Sequence, residues 1–177
     1  MGAEVMSVIV VEIPLPLAVP GKLALMALPQ DKASIAAAAA WRPDLVVTLI
    51  PDAEIIAKGF ADAMRAVREL SANWRHAPII DYGVPASEFE TDWPSLSAEM
   101  HHHLEASNRV LLHCHGGIGR SGLIAARLLV DLGQPAATAM AIVRSVRPGA
   151  LETIGQEQNL ADYAARRENA PCLGSMQ

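Results

Sequence analysis

At 177 residues and 51% apolar composition, the chain can bury one sizeable core but not two large ones. Asp plus Glu (19) exceed Lys plus Arg (14). The net charge of -5, with only 4% aromatic residues, excludes a nucleic-acid binder built on bulk positive charge or on stacking platforms.

Residues 5–29 are apolar, but Pro14, Pro16, Pro20 and Pro29 interrupt them. Glu4 and Glu12 stand where a signal peptide would carry Lys or Arg, so neither a targeting segment nor a membrane span is expected. Within that stretch the β-branched run 7–13 predicts a first strand, and 22–28 a second. Asp31 predicts the cap of a helix that reaches Trp41 and stops at Pro43. The run 45–50 reads as a fully buried strand. Helices are expected over 52–58 and 60–73, with Gly59 between them.

A short strand is expected over 77–81, then a loop over 82–93 because of Gly83, Pro85 and the polar residues around them. Next come a helix over 95–107, a buried strand at 110–112 and a glycine-rich turn at 116–119. Helices over 121–132, 135–146 and 155–167 complete the set, with a loose tail after Pro171. Strands alternating with helices predict an α/β fold with a largely parallel central sheet, in one domain spanning 1–177. In such sheets ligands bind beyond the carboxyl ends of strands.

One strand end carries the chemistry. In Arg109–Gly122 (RVLLHCHGGIGRSG) a buried strand delivers Cys114, and Arg120 follows at the start of a helix. Between them stand His115, Gly116, Gly117, Ile118 and Gly119. The glycines let successive N–H groups point at one centre, a nest for an oxyanion. The helix N-terminus adds a favourable dipole, and Arg120 a planar fork that suits two phosphate oxygens. Cysteines beside helix N-termini and cations ionise readily, so Cys114 is expected to be a nucleophile able to attack phosphorus.

The pattern His113-Cys114-x5-Arg120-Ser121 resembles the signature of the cysteine-based protein tyrosine and dual-specificity phosphatases. The segment 76–85 (HAPIIDYGVP) most resembles the acid loop of the kinase-associated phosphatase group. The resemblance is strongest over 40–167. It implies the phosphatase α/β fold, with helices on both faces of the sheet. It also implies hydrolysis through a phosphocysteine, with Cys114 as nucleophile, Arg120 as phosphate clamp and Asp81 as general acid and then base. Ser121 would ease the departure of the sulfur, His113 would order the loop, and Gln156, with Gln158 in reserve, would orient the hydrolytic water. By the same resemblance Arg147 supports the loop. No metal or cofactor is expected, because Arg120 and the backbone donors supply the positive field.

Asp92, in Thr91-Asp92-Trp93-Pro94, competes with Asp81 as the acid but reads better as a helix cap or loop residue. Glu54 reads as structural. His101, His102 and His103 point about 100° apart on a helix and cannot face one ion together. Cys172 reads as a free thiol, with a regulatory disulfide to Cys114 as the other possibility. The expected substrate is a protein carrying phosphotyrosine and phosphoserine or phosphothreonine. The alternatives are another phosphomonoester (a phosphoinositide, a nucleotide or an RNA 5′-phosphate) and a catalytically weak phosphoprotein-binding module. No nucleic-acid or membrane partner is expected. Two cysteines are too few for a disulfide framework, so a reducing, cytoplasmic setting is expected; the sequence sets no oligomeric state.

Overall fold

A computed structural model describes residues 10–169. Its centre is strand β5 (Arg109–Cys114), buried at every position after the first, as befits a strand covered on both faces. Parallel to it run β2 (Lys22–Ala27) on one side and β3 (Leu45–Thr48) on the other. Strand β4 (Trp74–His76) pairs parallel with β3, and β1 (Val10–Ile13) pairs antiparallel with β2, giving the order β1-β2-β5-β3-β4.

Alternation along the strands divides the core in two. Leu23, Leu25, Val47, Val110 and Leu112 face one layer, formed by α4 (Ser87–Glu105), α5 (Gly119–Asp131), α6 (Ala136–Val146) and α7 (Ile154–Asn169). Ala24, Met26, Val46 and Leu111 face the other, where α1 (Lys32–Trp41) and α3 (Ala61–Arg68) supply Ala38, Met64 and Val67. The short α2 (Asp52–Lys58) follows β3 directly and has no buried residue. Asp31 caps α1: its carboxylate accepts from the Ser34 N–H at 2.7 Å, and the Ser34 hydroxyl accepts from the Asp31 N–H. No helix among the described residues is long and apolar enough to cross a membrane. The expected strand residues 7–9, the tail after Pro171 and Cys172 lie outside the described residues.

Three expectations fail between β3 and β5. The helix expected over 60–73 stops at Arg68, and residues 74–76 become strand β4. The strand expected over 77–81 is an extended coil. Ala77 and Ile79 still donate to Thr48 and Leu49 carbonyls, but Pro78 has no N–H and Ile80 turns outward, so the chain leaves the sheet. Finally, the loop expected over 82–93 is helical from Ser87, and α4 runs straight through Pro94. Its buried residues Phe89, Trp93, Leu96, Met100 and Leu104 form a stripe at helical spacing across that proline, and their packing outweighs the one lost hydrogen bond. Asp92 is therefore an exposed residue within a helix rather than a cap or loop acid.

Candidate active site

The turn from β5 into α5 places Cys114 beneath a loop that only glycine can form at one point. Gly117 has φ +64°, and a Cβ there would meet the Ala27 nitrogen and the Met26 carbonyl carbon at 2.5 Å. That close approach lets the Gly117 N–H donate to Cys114 Sγ at 3.2 Å. Ser121 Oγ stands 3.4 Å from the same sulfur. Cys114 is buried, with the first turn of α5 directly behind the loop. From outside, Arg147 Nε donates to Gly117 O at 2.9 Å and its NH2 to Gly116 O at 2.8 Å, so one guanidinium holds two loop carbonyls. His115 and Ile118 complete the loop, both partly exposed.

Arg120 is almost fully buried and is aimed by a carboxylate. Its NH1 donates to Glu54 Oε2 at 2.7 Å and its NH2 to Oε1 at 3.3 Å, a two-pronged contact from α2. NH1 also donates to the Ile79 carbonyl at 3.1 Å, and NH2 lies 2.9 Å from Asp81 Oδ1. Burial alone would raise the Glu54 carboxyl, but hydrogen bonds from Arg120 and Lys58 hold it below the usual carboxylate range. Glu54 is thus the residue that fixes the guanidinium, a more specific task than the structural one expected of it. Arg120→Lys is expected to lower kcat by roughly 10²–10³, since an ammonium cannot hold Glu54 and a phosphoryl group in the same fork. Near-normal kcat/KM in that variant would remove Arg120 as the clamp.

Lys58 is a site residue that the sequence reading passed over. Its Nζ lies 2.9 Å from Glu54 Oε1, 3.5 Å from Asp81 Oδ2 and 3.4 Å from His115 Nδ1. The only sign of it in the sequence is its i,i+4 spacing from Glu54 on a helix that follows a buried strand. Donor atoms of Glu54, Asp81 and His115 lie within 4.8 Å of one another. Arg120 and Lys58 already neutralise both carboxylates within that cluster, which makes it an ion-paired network rather than an acidic cation cage.

Asp81, and not Asp92, stands at Arg120. It reaches there through a tight turn in which Gly83 N–H donates to Ile80 O and Tyr82 takes φ +56°. Asp92 instead lines a groove of about 540 Å³ between the start of the acid loop and α4, together with His76, Pro78 and Phe89. The two glutamines also separate. Gln156 is buried, donates to the Gly83 carbonyl at 3.0 Å and lies against Gly119, while its Oε1 has no hydrogen-bond partner among the described residues. Gln158 is exposed and bonds Asp162. Of the three adjacent histidines, His101 stands 3.5 Å from Asp131, His103 contacts Asn108 and His102 is exposed, so they do not converge.

His113 lies fully buried beneath the loop, its Nε2 2.6 Å from Thr48 Oγ1, which also accepts from the Trp74 indole at 2.8 Å. Burial pushes the imidazole down from 6.5 to about 3, and the charge on Arg120 acts in the same direction. The folded-state value is depressed, so the stability gained by keeping His113 neutral is present above pH 6.5 and is lost as pH falls toward about 3. Between pH 7 and pH 5 this one group is expected to cost about 2 kcal/mol. Urea unfolding at the two pH values should show that loss in the unmodified chain and much less of it in His113→Gln. Equal losses in both would mean that His113 is not the acid-sensitive group.

Comparison with known proteins bears on the same residues. The model of the family described as "Swiss Army Knife protein, DSP-PTPase phosphatase domain" matches residues 15–160. Cyclin-dependent kinase inhibitor 3 of Rattus norvegicus is 37% identical over 91 residues, which is 50% of this chain and 42% of that protein. The Homo sapiens protein of that name is 38% identical over 93 residues, with the same coverage. The chain thus aligns with less than half the length of these curated relatives. Among solved structures, kinase associated phosphatase superposes with a TM-score of 0.78 at 22% identity, covering 94% of this chain and 99% of the other. Tk-PTP in its active form superposes with a TM-score of 0.68 at 27% identity, covering 82% and 93%. PTPMT1 in complex with PI(5)P gives 0.66 at 14%, a likeness of fold alone, covering 84% and 93%. With a family match that spans strands β2 to β5, the cysteine loop and the loop of Asp81 together, the chain belongs to the DSP-PTPase phosphatase domain family.

Proposed function

We propose that this chain hydrolyses phosphomonoesters of proteins, on phosphotyrosine and on phosphoserine or phosphothreonine, through a phosphocysteine intermediate. One observation carries the reading: a buried sulfur that receives the Gly117 N–H, with the Glu54-aimed Arg120 and Asp81 paired 2.9 Å apart beside it. In the first step Cys114 Sγ attacks phosphorus, the phosphorus–oxygen ester bond breaks, and Asp81 gives its proton to the leaving oxygen. In the second, Asp81 takes a proton from a water whose oxygen attacks phosphorus, forming an O–P bond as the S–P bond breaks. The sulfur leaves as thiolate, stabilised by Ser121 Oγ and the Gly117 N–H. The buried, unpaired Oε1 of Gln156 supports a role in orienting that water. Arg120 and the loop N–H groups meet the charge that develops on the phosphoryl oxygens.

The family match and the likeness of half the chain to cyclin-dependent kinase inhibitor 3 support a phosphorylated protein as substrate and partner. A nucleophilic Cys114 needs reducing surroundings, which supports action in the cytoplasm. The test is release of phosphate from para-nitrophenyl phosphate in the presence of a chelator, with iodoacetate labelling run in parallel near pH 6. Turnover is expected, with Cys114 labelled faster than Cys172 and protected by phosphate or vanadate. Absence of turnover with Cys114 still protected by phosphate or vanadate would leave a phosphoprotein-binding module as the better reading, and absence of both turnover and protection would remove the anion nest itself.

A further inference from the structure

Folding buries most large apolar side chains among the described residues; of the six that stay exposed, Leu17 lies between β1 and β2 and Ile56 on α2, and the other four belong to the loop of Asp81 and the start of α7. Among the described residues, Ile80 is 74% exposed, Tyr82 65%, Val84 39% and Ile154 85%. Ile80, Tyr82 and Val84 alternate along the loop that carries Asp81, so they stand on either side of the acid. Ile154, at the first turn of α7, joins them across the chain. Thr153 Oγ1 donates to Tyr82 O at 3.4 Å, Gln156 Nε2 donates to Gly83 O at 3.0 Å, and a Cβ on Gly155 would touch Val84 Cγ1 at 3.9 Å. The four exposed side chains are therefore carried by two adjoining segments, an apolar collar at the Asp81-loop rim of the cysteine loop.

A bulky aromatic residue at φ +56° is an outlier, since that backbone region suits glycine or asparagine. Strain of this kind persists where it serves a task, and here it holds a phenol ring in solvent next to the general acid. Exposed aromatic and branched side chains grouped at a binding site are the usual anchors of protein contacts. The charges nearby point the same way. The positions between Cys114 and Arg120 hold no lysine, and the nearby Lys58 is already engaged by Glu54 and Asp81. That is one strong phosphate clamp without the extra cations a polyphosphorylated headgroup would require. Nor does a chain of net charge -5 attract an anionic bilayer.

Taking the phosphatase reading as given, we propose that Ile80, Tyr82, Val84 and Ile154 are a substrate-docking surface. It would select singly phosphorylated protein segments with apolar residues next to the phosphorylated one. The collar packs those neighbours while the loop holds the phosphoryl group, so the selection rests on contacts outside the phosphate itself.

Two phosphopeptides that differ only in having leucine or serine on both sides of the phosphorylated residue test this. In the unmodified chain kcat/KM is expected to favour the leucine peptide by about tenfold, the ratio that partial burial of one leucine supplies. In Ile154→Ser and in Ile80→Ser that ratio should fall toward one. Tyr82→Asn, in which asparagine tolerates the left-handed backbone, should lower it as well. Equal turnover of the two peptides by the unmodified chain overturns the proposal, and so does a ratio that survives all three substitutions. Faster turnover of a singly phosphorylated phosphoinositide in phosphatidylcholine vesicles than of the leucine peptide overturns it in favour of a lipid substrate. Para-nitrophenyl phosphate, run alongside, separates the two levels. Its turnover with indifferent peptides removes the collar alone, and no turnover removes the phosphatase reading and the collar with it.

Discussion

Cys114→Ser is expected to lower turnover by on the order of 10⁴-fold or more while leaving oxyanion binding in place, because removing a nucleophile removes the covalent route itself. A serine hydroxyl is a far poorer nucleophile than a thiolate, and among the described residues the groups that meet the sulfur are Ser121 Oγ and the Gly117 N–H, neither of them a general base. The elements that bind phosphate are not altered. Arg120 keeps its two contacts to Glu54, and Gly117 keeps the left-handed backbone that points the loop inward. The informative pair of measurements is kcat on para-nitrophenyl phosphate and the dissociation constant of vanadate or phosphate. Loss of the first with retention of the second is the expected result. Turnover near that of the unmodified chain would end the phosphocysteine mechanism, and loss of both would mean that the sulfur organises the loop as well as reacting.

Asp81→Asn is expected to cost on the order of 10²–10⁴ in kcat on phosphopeptides, the range that general acid catalysis supplies. The penalty should grow with the basicity of the leaving group. It should be largest for serine and threonine alkoxides, smaller for phenolate and least for activated aryl phosphates. The alkaline limb of the pH–rate profile should flatten at the same time. Asp92→Asn should do far less, since Asp92 lies on the exposed face of α4 while Asp81 lies 2.9 Å from the Arg120 guanidinium. A series of aryl phosphates of graded leaving-group pKa separates the two. A steep dependence in Asp92→Asn and none in Asp81→Asn would reverse the assignment.

The two aspartates also mark how far sequence reasoning reaches. Each sits near a proline and an aromatic residue, and local pattern offers both as an acid loop. Resemblance to a known loop favoured Asp81. The geometry separates them on different grounds: Pro78 ends the β4 pairing and sends residues 79–83 across the carboxyl end of the sheet, whereas Asp92 is carried away by a helix. The helix expected only over 95–107 begins at Ser87 and passes through Pro94, because a stripe from Phe89 to Leu104 packed against the sheet outweighs the proline. Lys58 had no motif at all. Its place beside Asp81 and His115 comes from α2 meeting both the loop of Asp81 and the cysteine loop, 23 and 57 residues away along the chain.

What the sequence by itself determined is local. Hydrophobic runs set the buried strands β2, β3 and β5, Asp31 and Ser34 set the start of α1, and the glycines between Cys114 and Arg120 set the anion nest. Each of these follows from interactions within a few residues, which a linear pattern records. Only the tertiary structure decided which carboxylate aims Arg120, which aspartate reaches it, which glutamine lies against the loop and which apolar side chains stay in solvent around it. Those choices depend on strands β3 and β5 lying side by side and on loops from distant segments converging at their carboxyl ends. The spacing of residues along one chain carries no measure of that convergence.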